Sequence, residues 1–302
     1  MKIIRSIKSG VSRALNAWKG AMIIWFVSLI LISLLAIQLR SMLNAGLGKS
    51  MITEKLINGV DMDVLSDLGK TMSSMIASFT SGLFLLILTG IVLNAFLTGG
   101  LFDTLKENSP KLSGRSFFRA SAENFWAFLV ITLIISLIIL IIFILLIVVP
   151  LSVVANSDIR AEGAMMKTGL IVVPVFFLLV SILLLVADYS RAWKVSLAGK
   201  GCFSALGFGF SHSFRTFFSS FPLMIIILIF QGLFGWAVIK ILTWLKPVTG
   251  GGVFLLFIVS QFLFFFKIIL KVIRYGSVTS LMEQNSNDKP VHSDMPLAQQ
   301  QD

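Results

Sequence analysis

The chain has one cysteine, Cys202, two histidines, His212 and His292, and only 13% charged residues in a length of 302. A lone cysteine excludes an intramolecular disulfide and any site needing several thiolates, and neither histidine has a partner at ligand spacing. No metal or other cofactor is expected. Zincin and nucleophile-elbow motifs are missing. Gly46-Leu47-Gly48-Lys49-Ser50 resembles the end of a phosphate-binding loop, but the first glycine of that motif would fall at Leu43 and no apolar strand precedes it. With catalytic groups lacking, the expectation is a protein that is not an enzyme.

What is present is apolar. Hydrophobic residues make up 57% of the chain and the mean hydropathy is +0.95. A chain of this size cannot hide so much apolar surface in a water-soluble core, so composition predicts an all-α, polytopic membrane helix bundle. A net charge of +11 would suggest nucleic acid in a soluble protein. Here the bases flank apolar runs, where they set orientation, and no nucleic-acid partner is expected.

Six runs reach the roughly 20 residues needed to span hydrocarbon, at about 21–38, 76–97, 125–149, 169–187, 221–243 and 252–270. The first follows a basic segment without a small-x-small cleavage triplet after it, which reads as a retained anchor. The third is expected to stop at Pro150, whose missing N–H interrupts the helical ladder. Seventeen of the 25 lysines and arginines fall on the side of the two termini and eight on the other. By the positive-inside rule, both termini are expected in the cytoplasm of a bacterium and the spans in its inner membrane.

The outer loop, about 39–75, contains Met62, Leu65, Leu68, Met72 and Ile76 at helical spacing, so the second span is expected to begin early, near Asp61. An Asn58-Gly59 turn would separate it from a short helical piece at Ile52–Ile57. Residues 1–283 read as one six-span domain and 284–302 as a disordered cytoplasmic tail.

Three amphipathic helices are expected to run directly into the odd-numbered spans. The first sets Ile4, Ile7, Val11, Leu15 and Trp18 against Lys2, Arg5, Lys8, Arg13 and Lys19. The second carries Phe117, Phe118, Ser121, Ala122 and Phe125, and the third Phe203, Leu206, Phe210, Phe214, Phe217 and Phe218. Such helices lie among headgroups with their bases toward anionic lipid, the expected partner, alongside another membrane protein. The even-numbered spans share an ending when Leu105, Leu197 and Leu281 are set in register, with a small residue (Gly100, Ala192, Gly276) and a hydroxyl residue (Thr104, Ser196, Ser280) recurring. A three-fold direct repeat of interfacial helix plus two spans is the expectation.

Six spans and three repeats also describe the mitochondrial carriers, but their Pro-x-Asp/Glu-x-x-Lys/Arg signature begins at none of the seven prolines. Gly99-Gly100 leading into Ser113-Gly114-Arg115-Ser116-Phe117-Phe118, and Ala187-Asp188-Tyr189-Ser190-Arg191-Ala192 leading into a second such helix, are the features of a different group. Over about residues 90–215 the chain resembles uncharacterised bacterial six-span proteins, including the membrane domain attached to some glycerophosphodiester phosphodiesterases. The resemblance implies an integral membrane module without the phosphodiesterase activity, whose domain has no counterpart here.

Five polar positions within or bordering the spans are the candidate sites: Asn94, Gln231, Gln261, Asp188 and Arg191. Gly82, Gly90, Asn94 and Thr98 form a small and polar stripe that suits close helix packing, with a solute path through Asn94, Gln231 and Gln261 as the alternative. Twenty residues separate Lys167 from Asp188. Asp188 is therefore expected at the cytoplasmic boundary, in an exposed i,i+3 pair with Arg191 worth about 0–1 kcal/mol, with Tyr189 and Trp193 in the interfacial belt. The function expected from these features is a partner-binding or lipid-organising module, with a transporter or channel for a small or amphiphilic solute as the alternative.

Overall fold

The computed structural model describes residues 2–47, 69–106, 113–155, 161–196, 201–245 and 249–287. Within these the protein is helical, and no strand occurs among the described residues. The helices are α1 (Lys2–Asn16), α2 (Trp18–Leu47), α3 (Gly69–Thr104), α4 (Gly114–Phe143), α5 (Val149–Ala155), α6 (Ala161–Ser196), α7 (Cys202–Arg215), α8 (Phe217–Trp244) and α9 (Gly250–Asn287). Six stretches within them are long and apolar enough to cross a membrane: Trp18–Ser41, Phe79–Thr104, Gly114–Val154, Gly163–Ser196, Phe217–Trp244 and Gly250–Asn285. The expected Asn58-Gly59 turn, the Ile52–Ile57 piece, the start of the second span near Asp61 and the tail beyond Asn287 lie outside the described residues.

Two boundaries differ from the sequence reading. Pro150 does not end the third span: α4 passes through a π-helical turn, Ile144–Val148, into α5. In that turn the Val149 N–H donates to the Ile144 carbonyl, and such widening lets a helix in lipid carry a proline without abandoning its ladder. At the carboxyl end helix continues through Gln284 to Asn287. The Gln284 side chain is held there by Ser280 Oγ and Ser6 Oγ, and Arg13 Nη2 pairs with Glu283 Oε2 at 2.6 Å.

The chain divides into two compact units. Residues 22–95 make one, in which Gly82 admits the Gln38 amide: Oε1 lies 2.9 Å from where a Cβ at 82 would stand. Residues 1–21 and 96–302 make the other. Its buried residues gather at one end, where α1, α7 and the first turns of α4 cross the ends of α3, α6 and α9.

Three of those crossings are close because small residues meet. Gly10 of α1 lies against Ser277 of α9, whose amide nitrogen would be 2.6 Å from a Cβ at position 10. Gly100 of α3 lies against Phe117 and Ser121 of α4, the Phe117 carbonyl standing 2.6 Å from a Cβ there. Gly209 of α7 lies against Val186 and Ser190 of α6, with the Val186 carbonyl at 2.6 Å. Without a solvophobic drive between helices in lipid, such close approach supplies the packing. The crossing residue on α6 is Ser190, two positions before Ala192.

The packing divides α1 into a buried and an exposed side. Ser6, Gly10 and Ala14 are buried, and the chain continues the stripe with Ala17 and Ala21. Ile4 and Leu15 point outward, Ile4 being 75% exposed, with the exposed Lys8 on the same face and the exposed Arg5 beside it. Arg13 reaches back to close the end of α3, its Nη1 donating to the Leu105 carbonyl at 2.8 Å. The helix α7 follows the same rule, burying Ala205, Leu206, Gly209 and Ser213 while Phe203 and Phe214 face out.

Candidate functional site

Asp188 and Arg191 are one helical turn apart on α6, so their side chains share a face, and Arg191 Nη1 donates to Asp188 Oδ1 at 3.3 Å. This pair is not the exposed boundary pair that sequence spacing suggests. Asp188 is fully buried and Arg191 only 7% exposed. The reason is a second base: Arg274 of α9, 8% exposed, brings Nε to 3.0 Å from Asp188 Oδ2. Arg191 also reaches α4, where Nη2 donates to Thr132 Oγ1 at 3.0 Å while that hydroxyl donates to the Phe128 carbonyl at 2.6 Å. One carboxylate thus ties α6 to α9, and one guanidinium ties α6 to α4.

The surroundings are packed and aromatic. Arg274 Cζ lies 5.0 Å from the centre of the Tyr275 ring, a cation–π distance, and Lys271 Nζ lies 5.7 Å from the same ring. Tyr275 packs on Phe102 at 4.7 Å, and Phe102 meets Phe128 edge-on at 5.8 Å. On the other side of α6 a buried cluster of Ile131, Ile135, Leu183, Val186, Ala187, Ala205 and Leu206 joins α4, α6 and α7. Low polarity strengthens every pairing in the cluster and equally penalises any charge left over.

Within the trio, one negative charge faces two positive ones. Hydrogen bonding is incomplete as well: Arg191 Nε, Arg274 Nε and Asp188 Oδ2 are buried with no hydrogen-bond partner. The 3.0 Å approach of Arg274 Nε to Oδ2 is therefore a charge contact without a well-directed hydrogen bond.

Tyr189 is buried, not exposed in an interfacial belt, and Trp193 is half-buried. The Tyr189 hydroxyl is buried 2.6 Å from Ser220 Oγ of α8. Ser220 in turn lies 2.8 Å from Thr216 Oγ1, which donates to the His212 carbonyl at 2.7 Å. His212 stacks on Phe208 and meets Tyr189 edge-on, and Phe208 stacks on Trp193. This polar thread joins α6, α7 and α8 beside the charge cluster.

The remaining candidates lie elsewhere. Asn94 belongs to the 22–95 unit and is half-buried. The Gln231 amide donates to the Leu270 carbonyl at 3.1 Å, bridging α8 to α9. Gln261 Oε1 is buried with no hydrogen-bond partner. Of the stripe on α3, Gly82 packs and Thr98 is buried, but nothing stands within 4 Å of a Cβ at Gly90. Sequence reading missed Arg274 and Thr132 as members of the Asp188 site, because they come from other spans. A usable signal was present: Lys267, Lys271 and Arg274 recur at four- and three-residue spacing, a basic line on one face of a helix that is otherwise apolar.

The fold and the site together define a helical protein with six stretches long and apolar enough to span a membrane, in which the unit of residues 1–21 and 96–302 is held at one end by small-residue crossings and a buried ionic cluster. Comparison of the chain with protein-family models, with curated proteins and with solved structures found no match.

Proposed function

We propose that the protein is a non-catalytic integral membrane module of the bacterial inner membrane, both termini cytoplasmic, that organises anionic lipid and binds a partner membrane protein at its cytoplasmic face. The observation that carries this reading is the division of α1. Its small face is used in packing, which leaves an exposed side carrying Ile4 and Leu15 together with the bases Arg5 and Lys8. A helix exposing apolar and basic residues together suits the headgroup plane, apolar groups toward the acyl boundary and bases among anionic phosphates. The resemblance over residues 90–215 to bacterial six-span membrane domains agrees with it.

The same module would be a three-fold direct repeat. What supports this is the recurrence of one crossing, interfacial helix on even-span ending, at Gly10, Gly100 and Gly209, the first of them between α1 and α9. Placing Ser190 in register with Gly100 and Gly276 makes Thr98, Asp188 and Arg274 equivalent. The acid–base contact is then between equivalent positions of two repeats.

The test is affinity purification from native membrane with identification of lipids and proteins, together with a reporter fused after Asp302. Enrichment of anionic phospholipid over bulk membrane, with a cytoplasmic reporter, is expected. Lipid of bulk composition with no recurrent partner, or a periplasmic reporter, would overturn the reading.

Transport of a small or amphiphilic solute is the second reading, favoured by the buried charges of Asp188, Arg191 and Arg274, since ionisable groups inside a membrane bundle commonly mark a solute or ion path. Single cysteines at Asn94, Gln231 and Gln261 in a Cys202→Ser background, treated with a membrane-impermeant thiol reagent, test it. Labelling that a solute blocks supports transport, and complete protection under every condition argues against it.

A further inference from the structure

We propose that Arg191 and Arg274, with Asp188 between them, bind one singly charged oxyanion of the phosphodiester class. The charge balance is the first argument. Two guanidiniums share a single carboxylate inside a packed region, a surplus of one positive charge, and a phosphodiester brings one negative charge and makes the site neutral. The second argument is donor capacity: Arg191 Nε is buried without a hydrogen-bond acceptor, Arg274 Nε has only its charge contact with Asp188 Oδ2, and a planar guanidinium matches two oxygens of a phosphate. Third, Arg191 and Arg274 keep 7% and 8% exposure whereas the carboxylate keeps none.

A basic line leads to the site. Lys267, Lys271 and Arg274 lie on one face of α9 and grade from exposed through half-buried to buried. Such a line of positive charge attracts an anion toward the arginines. Phosphodiesters are the linkage of phospholipid headgroups and also of soluble glycerophosphodiesters, and the site chemistry is the same for both. The lipid source rests on the function proposed above. The anion site does not.

The full-length protein is tested in phosphatidylcholine nanodiscs, with and without phosphatidylglycerol, and separately with soluble glycerophosphoglycerol against chloride at equal ionic strength. The readouts are thermal stability and bound anion by native mass spectrometry. Arginine-dependent stabilisation is expected, with Arg191→Gln and Arg274→Gln weakening binding about tenfold or more, and Arg274→Lys falling between wild type and Gln. Asp188→Asn, which raises the surplus to two, is expected to bind more tightly. Where a variant does not fold, displacement of bound phosphatidylglycerol from the wild type by glycerophosphoglycerol serves instead.

Response to both sources assigns a free or lipid-borne phosphodiester, and response only in the nanodisc assigns the lipid headgroup. Equal binding by wild type and both Gln variants, or an equal effect of chloride, would overturn the site. Anionic-lipid enrichment that survives substitution of Arg5 and Lys8, with arginine-dependent binding at Arg191 and Arg274 intact, would sink the proposed function and leave this inference standing.

Discussion

The Asp188 carboxylate on α6 and the Arg274 guanidinium on α9 approach to 3.0 Å at the packed end of the bundle, and neither side chain is more than 9% exposed. Burial turns what would be a negligible surface pair into a strong constraint. Removing the carboxylate alone leaves two buried guanidiniums without their shared counter-charge. Asp188→Ala is therefore expected to lower stability by about 3–5 kcal/mol, the penalty for breaking a buried pair. Thermal or denaturant unfolding in mild detergent measures it, and a loss under about 1 kcal/mol would mean that the pair behaves as a solvated one.

The glycines divide into two classes with opposite expectations. A valine at Gly10 would press on the Ser277 backbone, its nitrogen 2.6 Å from the new Cβ, and one at Gly209 would press on the Val186 carbonyl at the same distance. Backbone cannot swing aside as a flexible side chain can, so Gly10→Val and Gly209→Val are expected to cost about 1–3 kcal/mol or more. At Gly90 nothing stands within 4 Å, and Gly90→Ala is expected to be neutral or to gain up to about 1 kcal/mol from helix propensity. Parallel unfolding curves of the three variants check this, and equal losses at all three positions would remove the distinction between crossing and non-crossing glycines.

The six apolar helices were legible in the sequence because apolar length alone decides them. The ends were less so. Pro150 is a helix breaker by local rule, yet the π turn at Ile144–Val148 absorbs it, a backbone adjustment that no residue type announces. The face of α1 that packs was hidden for another reason. A search for large apolar residues selects Ile4 and Leu15, whereas the contact is made by the small residues Ser6, Gly10 and Ala14 at four-residue spacing. Asp188 and Arg191 were visible as an acid and a base one turn apart. Their depth was not, because span counting fixes where a helix crosses hydrocarbon and says nothing about what other helices cover beyond it. Arg274, from another span, makes that burial tolerable.

Tyr189 and Ser220 supply an ordered pair of expectations. Ser220→Ala removes the partner of a buried phenol, and a polar group left unsatisfied costs about 1–3 kcal/mol. Tyr189→Phe instead leaves Ser220 with its contact to Thr216, so a smaller loss of about 0.5–1.5 kcal/mol is expected. The double variant should cost less than the two single losses added together, since both delete the same hydrogen bond. Unfolding of all three variants measures the cycle. Strict additivity would show that the two hydroxyls do not interact.

Adjacent positions on α1 separate folding from membrane attachment. Ala14 is buried in the packed end and Leu15, its neighbour, is 59% exposed. Ala14→Leu forces three extra heavy atoms into a close crossing and is expected to cost about 1–3 kcal/mol of stability in detergent. Leu15→Ser changes nothing in that crossing, so its stability in detergent is expected to stay within about 0.5 kcal/mol of wild type. In nanodiscs the expectation reverses, because the outward leucine is the part that meets acyl chains. A fluorophore attached near Asn16 should move toward water in Leu15→Ser and keep its depth in any Ala14→Leu that remains folded, as read by quenching with lipids labelled at different depths. An unchanged depth in Leu15→Ser would mean that the outward face of α1 does not contact the bilayer, and its apolar residues would then need a protein partner to cover them.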